Sequence, residues 1–151
     1  MANTQAMCTS FKGELLVGHH NFGTGVVRAA TTADTFKAAL YLASATVNAS
    51  TTAYSATNEV SGTNYTAGGV TVTFGTAPST SGTTAFVTPS ASITYTTVTL
   101  ATAFDAVLIY NSTQSNKAVS VHTFGSQTVT SGTFTLTMPT NDASTGLIRL
   151  A

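Results

Sequence analysis

The sequence predicts an all-β protein, a β-sandwich or jelly roll of about seven or eight short antiparallel strands with a short N-terminal helix. Stretches in which apolar residues alternate with threonine recur through the second half of the chain. Clusters of glycine, proline and serine interrupt them roughly every 8–12 residues, the spacing of turns in a sandwich. Threonine makes up about a fifth of the 151 residues, and β-branched residues favour strands.

The elements are predicted in the following order. A short helix comes first, over residues 10–22, because Phe11 and Leu15 lie four residues apart and Ser10 can cap the helix. The first strand is predicted at 35–45, where the alternation is imperfect. Further strands are predicted at 70–74, 85–88, 92–101, 104–111, 118–124, 133–138 and 146–151. Loops are predicted at 61–69 and 75–84, and a connection between strands at 125–132.

Two of these strands carry additional signals. The alternation in 92–101 slips at Thr96 and Thr97, which predicts a β-bulge or a bend. The segment 104–111 is almost continuously apolar, which is typical of a central strand that is buried on both faces.

The composition indicates one domain, spanning residues 1–151, with an N-terminal arm of about residues 1–10. Only 7 % of the residues are charged, against about 25 % in ordinary soluble proteins, and five basic residues balance five acidic ones. A neutral surface has little attraction for phosphate backbones, so we expect no nucleic-acid partner. No apolar run approaches the roughly 20 residues that cross a bilayer, so we expect no membrane partner. Weak charge repulsion favours association with other protein subunits.

The reactive side chains do not form a recognisable catalytic or metal-binding motif. Cys8 is the single cysteine, which excludes an intramolecular disulfide, and it is expected to be an inert thiol. The chain has no GxSxG motif, no HExxH spacing and no paired carboxylates, so we expect neither an enzyme nor a bound metal or cofactor.

The three histidines are expected to lie at the surface or in an interface rather than to bind metal. His19 and His20 are adjacent, and adjacent side chains usually diverge. By strand alternation His122 shares a face with Ala118 and Ser120, and it is expected to face solvent or a neighbouring molecule.

Four tyrosines raise the alternative of a carbohydrate-binding module, because they could stack on sugars. They are Tyr54, Tyr65, Tyr95 and Tyr110. Packing in the core or in an interface is the more common role of tyrosine in strands.

Four long segments of the chain resemble a group of small virion structural proteins of tailed bacteriophages. They are MANTQAMCTSFKGELLVGHHNF, TFKAALYLASATVNASTTAYSATNEVSGTNYTAGGVTV, FDAVLIYNSTQSNKAVSVHTFG and TSGTFTLTMPTNDASTGLIRL, and together they cover most of the sequence. Within this group the chain looks most similar to head decoration, or cement, proteins. The resemblance carries no catalytic residues.

The resemblance implies a protein that binds the outer surface of the phage head and bridges subunits of the major capsid protein. The expected partners are that capsid protein and further copies of this chain, as a dimer or trimer. The expected location is the virion head surface, after synthesis in the cytoplasm of the bacterial host. A tail or baseplate component is the main alternative, since such proteins share the same composition.

The segments expected to contact a partner are the N-terminal arm, the 61–69 block and the 75–84 loop, because irregular segments are poorly satisfied by their own hydrogen bonds. The candidate contact residues are Thr4, Gln5, Phe11, Tyr65, Thr66, Gly68, Gly69 and His122.

Overall fold

The computed structural model describes residues 3–8, 10–11, 15, 19–20, 22–23 and 33–150, and these form two antiparallel β-sheets around one core. The larger sheet has five strands in the order β1-β7-β6-β2-β3, and the smaller has three in the order β4-β5-β8. The strands are β1 (Ala6–Met7), β2 (Phe36–Leu42), β3 (Val70–Val72), β4 (Ser79–Ser81), β5 (Thr84–Val87), β6 (Ile93–Asn111), β7 (Lys117–Leu136) and β8 (Ile148–Leu150).

The strands β6 and β7 form one long hairpin that dominates the larger sheet. Its turn is built from residues that tolerate left-handed backbone: Ser115 and Asn116 have φ values of 52° and 59°. The side chain of Asn111 fixes the start of this turn, since its Oδ1 accepts hydrogen bonds from the backbone N–H groups of Thr113 and Gln114, each over 3.1 Å.

The half of the hairpin next to this turn forms the centre of the sheet. There β6 lies between β2 and β7, and residues 106–111 are all buried. This confirms the predicted central strand. Full burial of a side chain such as Leu108 stabilises the fold by about 1.5–3 kcal/mol.

The other half of the hairpin continues as a two-stranded ribbon, which we define as residues 93–104 of β6 and 123–136 of β7. Three register shifts lie along it, between Tyr95 and Phe104, and a fourth lies where it joins the centre of the sheet, between Phe104 and Ala106. One of them falls at the predicted slip, where Thr97 has a φ of 53°. Two-stranded ribbons twist strongly, and bulges of this kind accompany a strong local twist.

Aromatic side chains fill much of the core. Phe22 stacks on Phe36 with 4.7 Å between ring centroids, and Phe74 meets both of them edge-on. The smaller sheet contributes Val87 and Ile148 to the same buried cluster, so both sheets share one core.

The structure confirms the all-β class and corrects two details of the strands. The predicted strands 92–101 and 104–111 are one continuous strand, as are 118–124 and 133–138, so the strands are not all short. The predicted loop 75–84 contains β4 and its turn to β5. A jelly-roll topology is not confirmed. The predicted helix at 10–22 is not seen as an element, because most of it lies outside the described residues, although the backbone of Ser10, Phe11 and Leu15 is helical.

Candidate partner-binding surface

The glycine-rich block 61–69 is fixed to the body of the protein by one buried carboxylate, Glu59, which is 9 % exposed. Its Oε1 accepts hydrogen bonds from the hydroxyl of Tyr65 over 2.7 Å and from the backbone N–H of Gly68 over 2.8 Å. Its Oε2 accepts a hydrogen bond from the hydroxyl of Tyr54 over 2.6 Å. Three donors satisfy the carboxylate inside the fold, as a buried charge requires.

The other three tyrosines of the chain complete this cluster. The hydroxyl of Tyr110 donates to the carbonyl of Gly68 over 2.8 Å, that of Tyr95 to Ala38 over 2.8 Å, and that of Tyr41 to Ser55 over 2.5 Å. The rings stack in two pairs, Tyr54 on Tyr110 with centroids 4.7 Å apart and Tyr65 on Tyr95 with centroids 5.8 Å apart. Tyr41, Tyr65 and Tyr110 therefore join irregular backbone to the strands of the larger sheet.

The environment of the cluster disfavours ionisation of its phenols. Burial, with a smaller contribution from the negative charge of Glu59, raises the pKa of Tyr41 to about 12, although the hydrogen bond to Ser55 acts in the opposite direction. Burial is also the largest cause of a raised pKa at the remaining tyrosines, with Glu59 again contributing, for Tyr54, Tyr65, Tyr95 and Tyr110.

Close approach to β2 explains the paired glycines of this block. Gly69 has a φ of +72°, and a Cβ atom there would lie 1.6 Å from the carbonyl oxygen of Ala38. Gly68 has a φ of +88° and a Cβ atom would lie 3.1 Å from the Tyr110 hydroxyl. Only glycine fits both the backbone and the space at Gly69.

The block forms one wall of a surface groove of about 330 Å³, whose other walls are β3 and the ribbon. The groove is lined by Asn64, Tyr65, Thr66, Gly69, Val70, Thr71, Thr94, Tyr95 and Thr96. Three of the predicted contact residues, Tyr65, Thr66 and Gly69, thus come together at one place. Its lining is uncharged, and its polar groups are amide, hydroxyl and backbone groups.

The N-terminal arm is docked on the protein's own body over residues 3–8. The side chain of Asn3 donates to the carbonyl of Leu42 and to the carboxylate of Asp105, and it accepts from the N–H of Val47. β1 then pairs with β7. Along this docked arm Thr4 and Gln5 are exposed, so their side chains remain accessible to a partner.

Of the remaining candidates, Phe11 and Gly68 are buried, and His122 is partly exposed. Phe11 is fully buried against His20 and Phe22, and Gly68 is buried beneath Tyr110. His122 is only partly exposed, and its Nε2 lies 2.9 Å from the hydroxyl of Ser120. Burial lowers the pKa of His122 to about 4, so the ring is neutral at neutral pH.

The ribbon offers the most regular exposed surface. Its exposed threonines are Thr94, Thr96, Thr97 and Thr102 on β6 and Thr128, Thr130, Thr133 and Thr135 on β7.

The sequence predicted strands with threonine on one face, but it did not predict two features, the role of Glu59 and the continuity of β7 through 125–132. Glu59 could have been suspected from its position as an isolated acid between Tyr54 and Tyr65.

Comparison with known proteins identifies no relative: no protein-family model, no curated protein and no solved structure matches this chain. Within the described residues, no three acidic, histidine or cysteine side chains are grouped so as to hold a metal ion. The same part of the chain contains no helix that is long and apolar enough to cross a membrane.

Proposed function

We propose that the protein is a structural component of a tailed-bacteriophage virion that decorates the head, where it binds the outer capsid surface and bridges subunits of the major capsid protein. The observation that carries the proposal is the uncharged groove beside the 61–69 block. It combines three of the candidate contact residues with a segment that resembles phage virion proteins.

The groove has the properties that a rigid docking surface needs. Its backbone is held by Glu59, which accepts hydrogen bonds from Tyr54, Tyr65 and Gly68, so little conformational entropy is lost when a partner binds. Thr66, Thr71 and Thr94 are exposed along it and can donate and accept hydrogen bonds. Weak attachment at each site is sufficient on a symmetric shell if neighbouring copies are linked.

A first experiment measures the number of copies per particle by quantitative gel analysis of the purified virion. A head decoration protein is present in hundreds of copies, whereas a tail or baseplate component is present in about six or twelve, a contrast that follows from the symmetry of the two structures. A low copy number confined to the tail would overturn the head placement.

A second experiment tests the groove itself. Thr66→Lys places a charge in the groove, and it is expected to abolish binding to particles assembled without the protein. Thr140→Lys adds the same charge at an exposed position outside the strands and outside every segment expected to contact the partner, and serves as the control. Equal binding by both variants would exclude the groove as the contact surface.

The arm is tested separately, because deleting residues 2–9 also removes β1 and the contacts of Asn3. A milder variant, Thr4→Lys with Gln5→Lys, changes only exposed side chains. Unchanged attachment of this double variant and of the deletion would remove the arm from the contact surface.

A carbohydrate-binding module is the second candidate, because the groove places Tyr65 beside Asn64 and several threonines. The stacking of Tyr65 on Tyr95 and the internal bonds of its hydroxyl count against it, since a sugar needs a free ring face and free polar groups. A glycan array distinguishes the two candidates: binding that Thr66→Lys abolishes would favour the module.

A further inference from the structure

On the side of β7 that faces away from β6, the first residues of the strand have backbone partners, whereas the later residues have none among the described segments. The backbone of Thr52 accepts a hydrogen bond from the N–H of Ala118 over 3.0 Å, and the N–H of Cys8 donates to the carbonyl of Val119 over 3.2 Å. β1 pairs with Ser120 and Val121. Beyond Val121, no strand of the described chain pairs with this side of β7. We call the backbone of residues 122–136 on this side the β7 edge.

The opposite side of the ribbon is partly covered by the 61–69 block. The backbone of Thr63 exchanges two hydrogen bonds of 3.1 Å with that of Thr99 on β6. Among the residues that the structure describes, the β7 edge is therefore the more open side of an already ordered ribbon, and pairing there costs little additional backbone ordering.

The β7 edge lacks the features that normally prevent strand-to-strand association. Edge strands are usually protected by charged side chains, by proline or by being very short. Here no aspartate, glutamate, lysine or arginine occurs between Lys117 and Asp142, and the first proline is Pro139. Residues 125–128 are all exposed, and the Gly125 carbonyl accepts a hydrogen bond from the nearby side chain of Gln127 over 3.0 Å.

Because the β7 edge carries no charged side chains, it is better suited to pairing with a second copy of itself than with a partner of different sequence. In antiparallel pairing about a two-fold axis, every side chain meets one from the same segment, so a cluster of like charges would oppose itself. The uncharged segment avoids this repulsion, and the zero net charge of the whole chain adds none at long range.

We propose that the β7 edge pairs with the β7 edge of a second copy in antiparallel orientation, so that the two five-stranded sheets join into one continuous sheet. The bulges of the ribbon restrict the pairing to the straighter parts of the edge, and its exposed threonines lie on the faces of the joined sheet. The proposal is independent of the capsid role, since it concerns association of the isolated protein.

The first test is analytical ultracentrifugation over a concentration series. The wild-type chain is expected to dimerise reversibly. Thr128→Lys with Thr130→Lys places like charges across the proposed two-fold axis and is expected to weaken the dimer at least about tenfold. Thr80→Lys with Thr83→Lys, in the exposed β4–β5 hairpin, is the matched control and should dimerise like the wild type.

The second test locates the contact. Cys8 is buried, so a cysteine introduced at Ser126, Thr128 or Thr130 provides an exposed thiol. Under mild oxidation, covalent dimers should form in highest yield at the position nearest the two-fold axis, and a cysteine at Thr83 should give a low yield. A wild-type chain that stays monomeric throughout the series, a dimer that the edge lysines leave intact, or equal crosslinking at Thr83 would overturn the proposal.

Discussion

The hydroxyl of Tyr65 donates a hydrogen bond to Oε1 of Glu59 over 2.7 Å, and the same hydroxyl accepts one from the backbone N–H of Leu40 over 3.0 Å. This one side chain therefore connects the 61–69 block to β2. The geometry of the candidate groove depends on it, because Tyr65 is also part of the groove lining.

Replacing Glu59 is expected to destabilise the protein in proportion to the hydrogen bonds lost. Glu59→Gln retains an oxygen acceptor but loses the charge, and we expect a loss of about 1–2 kcal/mol in the free energy of unfolding. Glu59→Leu leaves the donors of Tyr54, Tyr65 and Gly68 without an acceptor, and we expect a loss of about 3–5 kcal/mol. Urea unfolding measures both values.

A double-mutant cycle with Tyr65→Phe isolates the contact between Tyr65 and Glu59. The two changes should be non-additive, because each removes the same hydrogen bond. If Glu59→Leu were as stable as the wild type, the carboxylate would not hold the block.

Gly69→Ala is expected to cost at least about 3 kcal/mol, since its Cβ would overlap the carbonyl of Ala38 and its φ is left-handed. Two controls separate these causes by thermal unfolding. At Gly82 the φ is +57° but a Cβ atom would meet open space, so Gly82→Ala should lower the free energy of unfolding by about 1 kcal/mol. At Gly125 the space is also open and the φ is not left-handed, so Gly125→Ala should change the free energy of unfolding by less than about 0.5 kcal/mol. Comparable losses in all three variants would contradict the close packing at Gly69.

The sequence predicted the elements whose signal is local. The alternation at 70–74 and the slip at Thr96 and Thr97 both appear in the structure, because side-chain alternation is a property of neighbouring residues. The sequence did not predict that 125–132 would remain extended, since Gly125 and Gly132 are typical of turns. Pairing with β6 across the ribbon outweighs that local preference.

The candidate site depended even more on contacts between distant residues. Tyr65 and its neighbours were selected from a turn-like pattern, but the block is held against the sheet by bonds to residues distant in the chain, from Leu40 on β2 to Tyr65 and from Tyr110 on β6 to Gly68. Phe11 was selected as a contact from its place near the arm, whereas it packs on Phe22 inside the core. Neither arrangement can be deduced from sequence spacing, because each is made by non-local packing.

Alkaline pH is expected to unfold the protein as its tyrosines ionise. The pKa of each tyrosine is raised in the folded chain, whereas the unfolded chain ionises near pH 10. Above pH 10 the folded state therefore holds more protons than the unfolded state, so stability falls as the pH rises. Ultraviolet titration of the folded protein should show tyrosinate forming together with loss of circular dichroism, and the urea-unfolded chain should titrate near pH 10. Full ionisation while the fold stays intact would contradict the buried cluster.

Mild acid is expected to destabilise the fold through His122. Its pKa is lowered from 6.5 to about 4 by burial, so between these values the unfolded chain binds a proton that the folded chain does not. The stability that neutral His122 provides is complete above about pH 6.5 and is lost as the pH falls toward 4, by at most about 3 kcal/mol. Urea midpoints measured from pH 7 to pH 4 should fall as the pH falls, and His122→Gln should reduce the slope of the midpoint against pH. Gln5→Ala, at an exposed position and without a titratable group, is the control and should leave the slope unchanged. An equal slope in the wild type and His122→Gln would show that the ring is accessible to protons in the folded state.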